Sequence, residues 1–117
     1  MGQPVVHFEI SGRDFQKSIE FYKNLFDWKV ERWGEMPYGM VQPEGERSIG
    51  GGIGASQQGQ PNVTFYIQVD DLQTYLNRAE QLGGRTVVPP SPIPGVGSMA
   101  MFADPDGNVL GLFKSGE

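Results

Sequence analysis

The chain contains no cysteine and a single histidine, His7, among its 117 residues. Without thiols it forms no disulfide, no thiolate zinc or iron–sulfur centre and no cysteine nucleophile, and a reduced compartment suits it. Basic residues are few: 9 Lys and Arg stand against 14 Asp and Glu, for a net charge of −5. They are also scattered, so the clustered positive charge that holds nucleic acid or an anionic membrane is missing. No apolar run approaches the ~18 residues of a membrane span, and the opening MGQPVVHFEI places no basic region ahead of an apolar signal stretch. Val6 stands where a myristoylated terminus carries Ser or Thr. The expectation is a soluble, cytoplasmic protein with neither nucleic acid nor membrane as partner.

What is present suffices for one domain over residues 1–117, because a chain of this length buries about two thirds of its unfolded surface. Val5 to Ile10 alternates, with Phe8 and Ile10 on one face and His7 and Glu9 on the other. Asp14 is placed to cap a helix whose buried stripe is Phe15, Ile19, Tyr22, Leu25 and Phe26. Three short strands follow, at Trp28 to Trp33, Tyr38 to Gln42 and Arg47 to Ile53. The last is weakened by Gly50-Gly51-Gly52, which points to close approach by another group. Ala55 to Asn62 is polar and aperiodic and reads as a linker.

The order then restarts. Val63 to Val69 is a strand, and Asp70 or Asp71 caps a helix with Leu72, Tyr75, Leu76, Ala79 and Leu82 on one stripe, ended by Gly83-Gly84. Arg85 to Val88 is a strand, Pro89 to Gly97 a stiff loop, Ser98 to Ala103 a strand, Asp104 to Gly107 a turn and Asn108 to Phe113 the last strand. At a constant offset of 57, His7 to Ile10 falls on Thr64 to Ile67, Asp14 on Asp71, Ile19 on Leu76 and Val30 on Val87. This repeat of polarity and element order predicts an α+β domain of paired βαβββ modules, module one at 3–54 and module two at 62–114. A ferredoxin-like dimeric barrel is the alternative; three strands after the first helix favour the modules, two the barrel.

Several motifs carry no chemistry. The triple glycine lacks the Lys-Ser or Lys-Thr of a phosphate loop. Asp104, Asp106 and Asn108 resemble a calcium loop, but Ser115 stands where its twelfth-position glutamate belongs. Ser91, Ser98 and Thr64 lack a nucleophile-elbow context, which argues against a hydrolase. His7 and Glu9 remain as an acid–base pair on one face. Trp28, Trp33, Tyr38 and Tyr66 are candidates for pocket walls against a role as plain core, and Met99 and Met101 for an adaptable wall.

HFEI, RDFQKSIEFYKNLFDWKVE, VDDLQTYLNRAEQLGGR and PIPGVGSMAMFADPDGNVLGLF together resemble the glyoxalase/bleomycin-resistance/extradiol-dioxygenase group, the vicinal oxygen chelate superfamily. The FYKNLFDW junction and the DPDGN turn are the most specific pieces. The resemblance implies two curved four-stranded sheets around a cleft with two outer helices, and metal ligands on the first and last strand of each module. Those places fall on His7, on Thr64, within Gly50 to Gly52, and on Gly111, so three of the four ligands are absent. A two-histidine iron site needs a second imidazole, which the chain lacks. The resemblance therefore implies a degenerate site with neither metal nor cofactor, and sequestration of a small apolar or aromatic molecule by His7, Glu9, Tyr38, Thr64, Tyr66, Met101, Gly111 and Phe113. Gly111 and the glycines near 52 are expected to leave the pocket open. The alternative is a metal-dependent lyase (lactoylglutathione lyase-like), isomerase or dioxygenase using His7 and Glu9. A homodimer is expected, because family members pair sheet edges across a two-fold axis.

Overall fold

Both helices begin in the same way. The Asp14 carboxylate accepts the Lys17 backbone N–H at 3.1 Å and the Asp71 carboxylate accepts that of Thr74 at 3.2 Å, each from extended backbone. These caps open α1 (Phe15–Phe26) and α2 (Leu72–Gln81). In a computed structural model that describes residues 2–56 and 59–116, the strands are β1 (Val5–Gly12), β2 (Val30–Arg32), β3 (Tyr38–Val41), β4 (Gly50–Ala55), β5 (Asn62–Gln68), β6 (Arg85–Ile93), β7 (Gly97–Ala103) and β8 (Val109–Ser115). Three strands follow each helix, so the βαβββ reading holds and the dimeric ferredoxin-like barrel does not. Of the expected linker, residues 57 and 58 lie outside the described residues.

The chain divides into two compact units: His7–Thr64, and the stretch from Phe65 onward with the residues before His7. In module one the strand order is β2-β3-β4-β1, with β1 parallel to β4 and the other pairs antiparallel. Ile19 of α1 packs with Val41 and Ile53, and Phe8, Phe15, Tyr22, Trp28 and Val30 close around them. Trp28 is thus core, 5.4 Å from Phe8 and stacked at 5.6 Å on Tyr22. Module two repeats the arrangement as β5-β8-β7-β6, with Leu72 and Leu76 of α2 over Val69, Ala100 and Leu112.

Some expected burial is absent. Leu25 is 57% exposed because it sits about 120° around α1 from Ile19, and Phe26, though 53% exposed, leans on Trp28 at 5.2 Å. Leu82 has already left α2 and is the C-cap residue. Phe8 and Ile67 join their cores and Ile10 is half-buried. Phe65 is 38% exposed, because the core of module two begins one step further along β5, at Ile67. The proline-rich segment expected as a loop from Pro89 is strand through Ile93. It is an edge strand paired with β7, with register shifts between Thr86 and Val88 and between Val88 and Ser91, the second spanning Pro89 and Pro90, so the ladder is interrupted where two residues have no N–H to donate.

Candidate functional site

On β4 the alternation of the strand sends Gly51 and Ile53 toward α1 and leaves Gly50, Gly52 and Gly54 on the opposite face. That face also carries His7 and Glu9, since His7 pairs with Gly50 and Glu9 with Gly52. Tyr38, paired with Gly54, lays its ring along the glycine row. A Cβ on Gly54 would meet the ring at 3.0 Å, and one on Gly52 would fall 1.8 Å from the hydroxyl. Phe8 fills the corresponding space on the helix side, 2.4 Å from where a Gly51 Cβ would stand. The glycine run is therefore a bed for two aromatic rings, and its crowding comes from side chains.

The ring's direction brings its hydroxyl between two polar groups. Tyr38 Oη donates to Glu9 Oε1 at 3.1 Å and lies 2.9 Å from His7 Nε2. A phenol has one proton, and with that proton on Glu9 its lone pair accepts from an Nε2–H of His7. Burial pushes the Glu9 carboxyl above its ordinary 4.5, an effect the Tyr38 hydrogen bond partly offsets. Burial likewise lowers the His7 imidazole below 6.5. The cluster thus joins an imidazole and a carboxyl, each partly withdrawn from water, through one phenol hydroxyl. Trp33 stands beside it, 38% exposed, with its ring edge-on to Tyr38 at 5.9 Å.

In module two the corresponding face, away from α2, carries Thr64, Tyr66, Met101, Gly111 and Phe113. Tyr66 pairs with Gly111 and Gly111 with Met101, while Phe113 pairs with Met99 and with Gln68. Thr64 and Tyr66 are buried; Met101 and Phe113 are partly so. The structure brings together His7, Glu9 and Tyr38 by hydrogen bonds, and Tyr66, Gly111 and Met101 as one row. The expected open space over Gly111 and Gly52 is not there. A Cβ on Gly111 would fall 2.3 Å from the Tyr66 ring, and Tyr38 covers Gly52. Sequence reasoning missed Gly54 and the coupling of β4 to Tyr38; the signal available was the alternation of Gly50, Gly52 and Gly54 opposite a tyrosine strand.

A resident metal does not fit these residues. The Tyr38 hydroxyl bridges His7 and Glu9, a glycine stands at the last-strand place, and among the described residues no three His, Asp or Glu side chains gather as a metal-holding group. Asp104 is a turn residue: its carboxylate accepts from the backbone N–H groups of Asp106 and Asn108 and from the Asn108 side chain, which holds its pKa below the usual range. Among the described residues no helix is long and apolar enough to cross a membrane.

The repeat and this site define a class: a βαβββ-repeat protein whose first strand presents a histidine and a glutamate on the face away from the helix. The sequence profile of the Glyoxalase/Bleomycin resistance protein/Dioxygenase superfamily matches residues 5–112, and the chain belongs to that superfamily. It is 29% identical over 126 residues to the anthracycline biosynthesis protein DnrV of Streptomyces peucetius, covering 93% of this chain and 46% of that protein. It is 32% identical over 75 residues to the putative glyoxylase CFP32 of Mycobacterium tuberculosis, covering 63% and 29%. The chain thus spans less than half the length of these curated relatives. A superfamily member from Vibrio splendidus 12B01 shares the fold, with a TM-score of 0.66 at 15% identity over 97% of this chain and 100% of that one.

Proposed function

We propose that the chain is a metal-independent member of its superfamily that binds a small apolar or aromatic molecule, held in module one against Tyr38 and Trp33 and oriented by His7 and Glu9. The observation that carries this reading is the Tyr38 hydroxyl bridging His7 and Glu9 over a glycine bed. A half-buried polar cluster with an indole beside it is the composition of a recognition site, in which apolar walls supply affinity and a few placed polar atoms supply orientation. In this reading the protein works in the cytoplasm as a homodimer. Apolar side chains left exposed on β5, Val63 at 71% and Phe65 at 38%, support self-association.

The test combines native mass spectrometry with amide and imidazole NMR. The protein isolated without chelator carries no near-stoichiometric metal, and the aromatic probe 2-methoxynaphthalene shifts the His7 and Trp33 resonances. One metal ion per chain would favour the metal-dependent lyase or dioxygenase alternative. Shifts confined to residues outside module one would end the proposal.

A further inference from the structure

Arg32 is the last residue of β2. Val30 joins the core under α1, so the alternation of the strand sends Arg32 to that same side, where its guanidinium lies over the Phe15 ring, 5.3 Å from the centroid. From there it reaches two carbonyl oxygens of the turn that follows β2. Nε donates to Met36 O at 3.2 Å and Nη2 to Glu35 O at 3.4 Å. Met36 O also accepts the Tyr38 backbone N–H at 2.7 Å, and the Met36 N–H donates to Trp33 O at 3.2 Å. The Trp33 N–H closes the end of the hairpin on Tyr38 O at 2.9 Å. One carbonyl therefore joins the Arg32 side chain to the backbone of the residue whose hydroxyl bridges His7 and Glu9.

From this geometry we infer that Arg32 is a positioning residue of the site: it fixes the 33–37 turn from the α1 side and so sets Trp33 and Tyr38 in place before a ligand arrives. This rests on the binding reading above and adds the residue that prepares the site. Arg32 itself lies on the face away from His7 and Glu9. The turn needs such a tie. Residues 33 to 37 are all exposed, and none of their side chains is among those packed around Ile19, Val41 and Ile53. A segment with so little packing is ordered mainly by its hydrogen bonds, and a ligand that had to order it would lose affinity to that entropy. A guanidinium suits the task because its N–H groups form a rigid fork that meets two carbonyls at once, whereas an ammonium is a point charge.

The experiment compares the wild type with Arg32→Met and Arg32→Lys by amide hydrogen exchange, by the two indole resonances and by titration with 2-methoxynaphthalene. That probe is uncharged, so loss of the arginine charge does not by itself change its binding. Trp28, packed in the core of module one, is the control for the fold. In Arg32→Met the backbone amides of Trp33, Met36 and Tyr38 exchange faster and the Trp33 indole resonance moves, while Trp28 and the ladder between β3 and β4 hold. Affinity for the probe falls about threefold to tenfold, as expected when a side chain must be ordered on binding. Arg32→Lys keeps a charge near Phe15 but not the fork, and it loses most of the affinity that Arg32→Met loses. Wild-type affinity in Arg32→Met would overturn the inference and leave the binding reading intact. Full affinity in Arg32→Lys would also overturn it, because the charge and not the fork would then hold the turn. A Trp28 resonance displaced together with that of Trp33 would make Arg32 a residue of general stability and end the inference. If the probe perturbs neither Trp33 nor His7 in the wild type, the binding reading itself fails and the inference falls with it.

Discussion

Glu9 and His7 sit in the same partly dry environment and respond to it with opposite signs. Burial raises the folded pKa of Glu9 above 4.5, so just above that value the native state holds more protons than the unfolded chain and stability falls as pH rises. Burial lowers that of His7, so just below 6.5 the unfolded chain holds more protons and stability rises with pH. Glu9→Gln keeps an oxygen for Tyr38 but removes the titration. Thermal melts from about pH 4 to pH 7 should show the variant gaining on the wild type as pH rises through the Glu9 window. A constant difference across that range would mean Glu9 is not desolvated. The second prediction at this scale concerns Gly52. Gly52→Ala would drive a methyl group 1.8 Å from the Tyr38 hydroxyl, so the ring must leave the glycine row. The expected cost is about 1 to 3 kcal/mol by urea unfolding, accompanied by loss of the His7–Tyr38 bond in NMR. Gly111→Leu meets the Tyr66 ring in the same way, so it should destabilise the fold as well as alter the surface. Glycines at these places read from sequence as empty space. A glycine reports only that its own side chain is missing, and which neighbour leans into the gap is settled by long-range pairing.

Helix ends were legible in the sequence because caps are local chemistry. Asp14 and Asp71 each sit three residues before the N–H they accept, and the repeat offset of 57 carries one cap onto the other. Asp71→Ala and Asp14→Ala should each cost about 1 kcal/mol in denaturant unfolding. Asp27, at the other end of α1, has φ 59° and ψ 30°, a left-handed conformation in a residue with a side chain. Asp27→Gly should therefore stabilise the protein, by up to about 1 kcal/mol, and a loss of stability on that change would mean the carboxylate does more than tolerate its backbone. Strand β6 was the element least legible in sequence. Four prolines between Pro89 and Pro94 argue for a loop by composition. The strand forms nonetheless, because it needs hydrogen bonds on one side only and its register shifts absorb the residues that cannot donate. Leu25 and Leu82 were misplaced for a related reason: periodicity names a stripe but not how far the sheet extends beneath it.

At the scale of the molecule, two units fold from one pattern, and the pattern was visible because polarity repeats even where identity does not. Ile19 and Leu76, one offset apart, are both buried on the inner faces of their helices. The equivalence breaks on the strand face away from the helices. His7 and Glu9 correspond to Thr64 and Tyr66, so the first strand of module one carries titratable groups and that of module two carries a hydroxyl and a phenol. It breaks again at Phe8, which joins its core, and Phe65, which does not. Phe65 shares a strand face with Val63, and burying both would remove a contiguous apolar surface from water. That surface is the place to test the homodimer. Light scattering over a wide concentration range should give about twice 12.9 kDa for the wild type. Val63→Arg puts a charge on a residue 71% exposed in the single chain, so it should leave the melting of an isolated chain nearly unchanged while shifting the mass toward the monomer. A wild type that stays monomeric throughout, or a variant that dimerises as before, would remove β5 from any role in self-association.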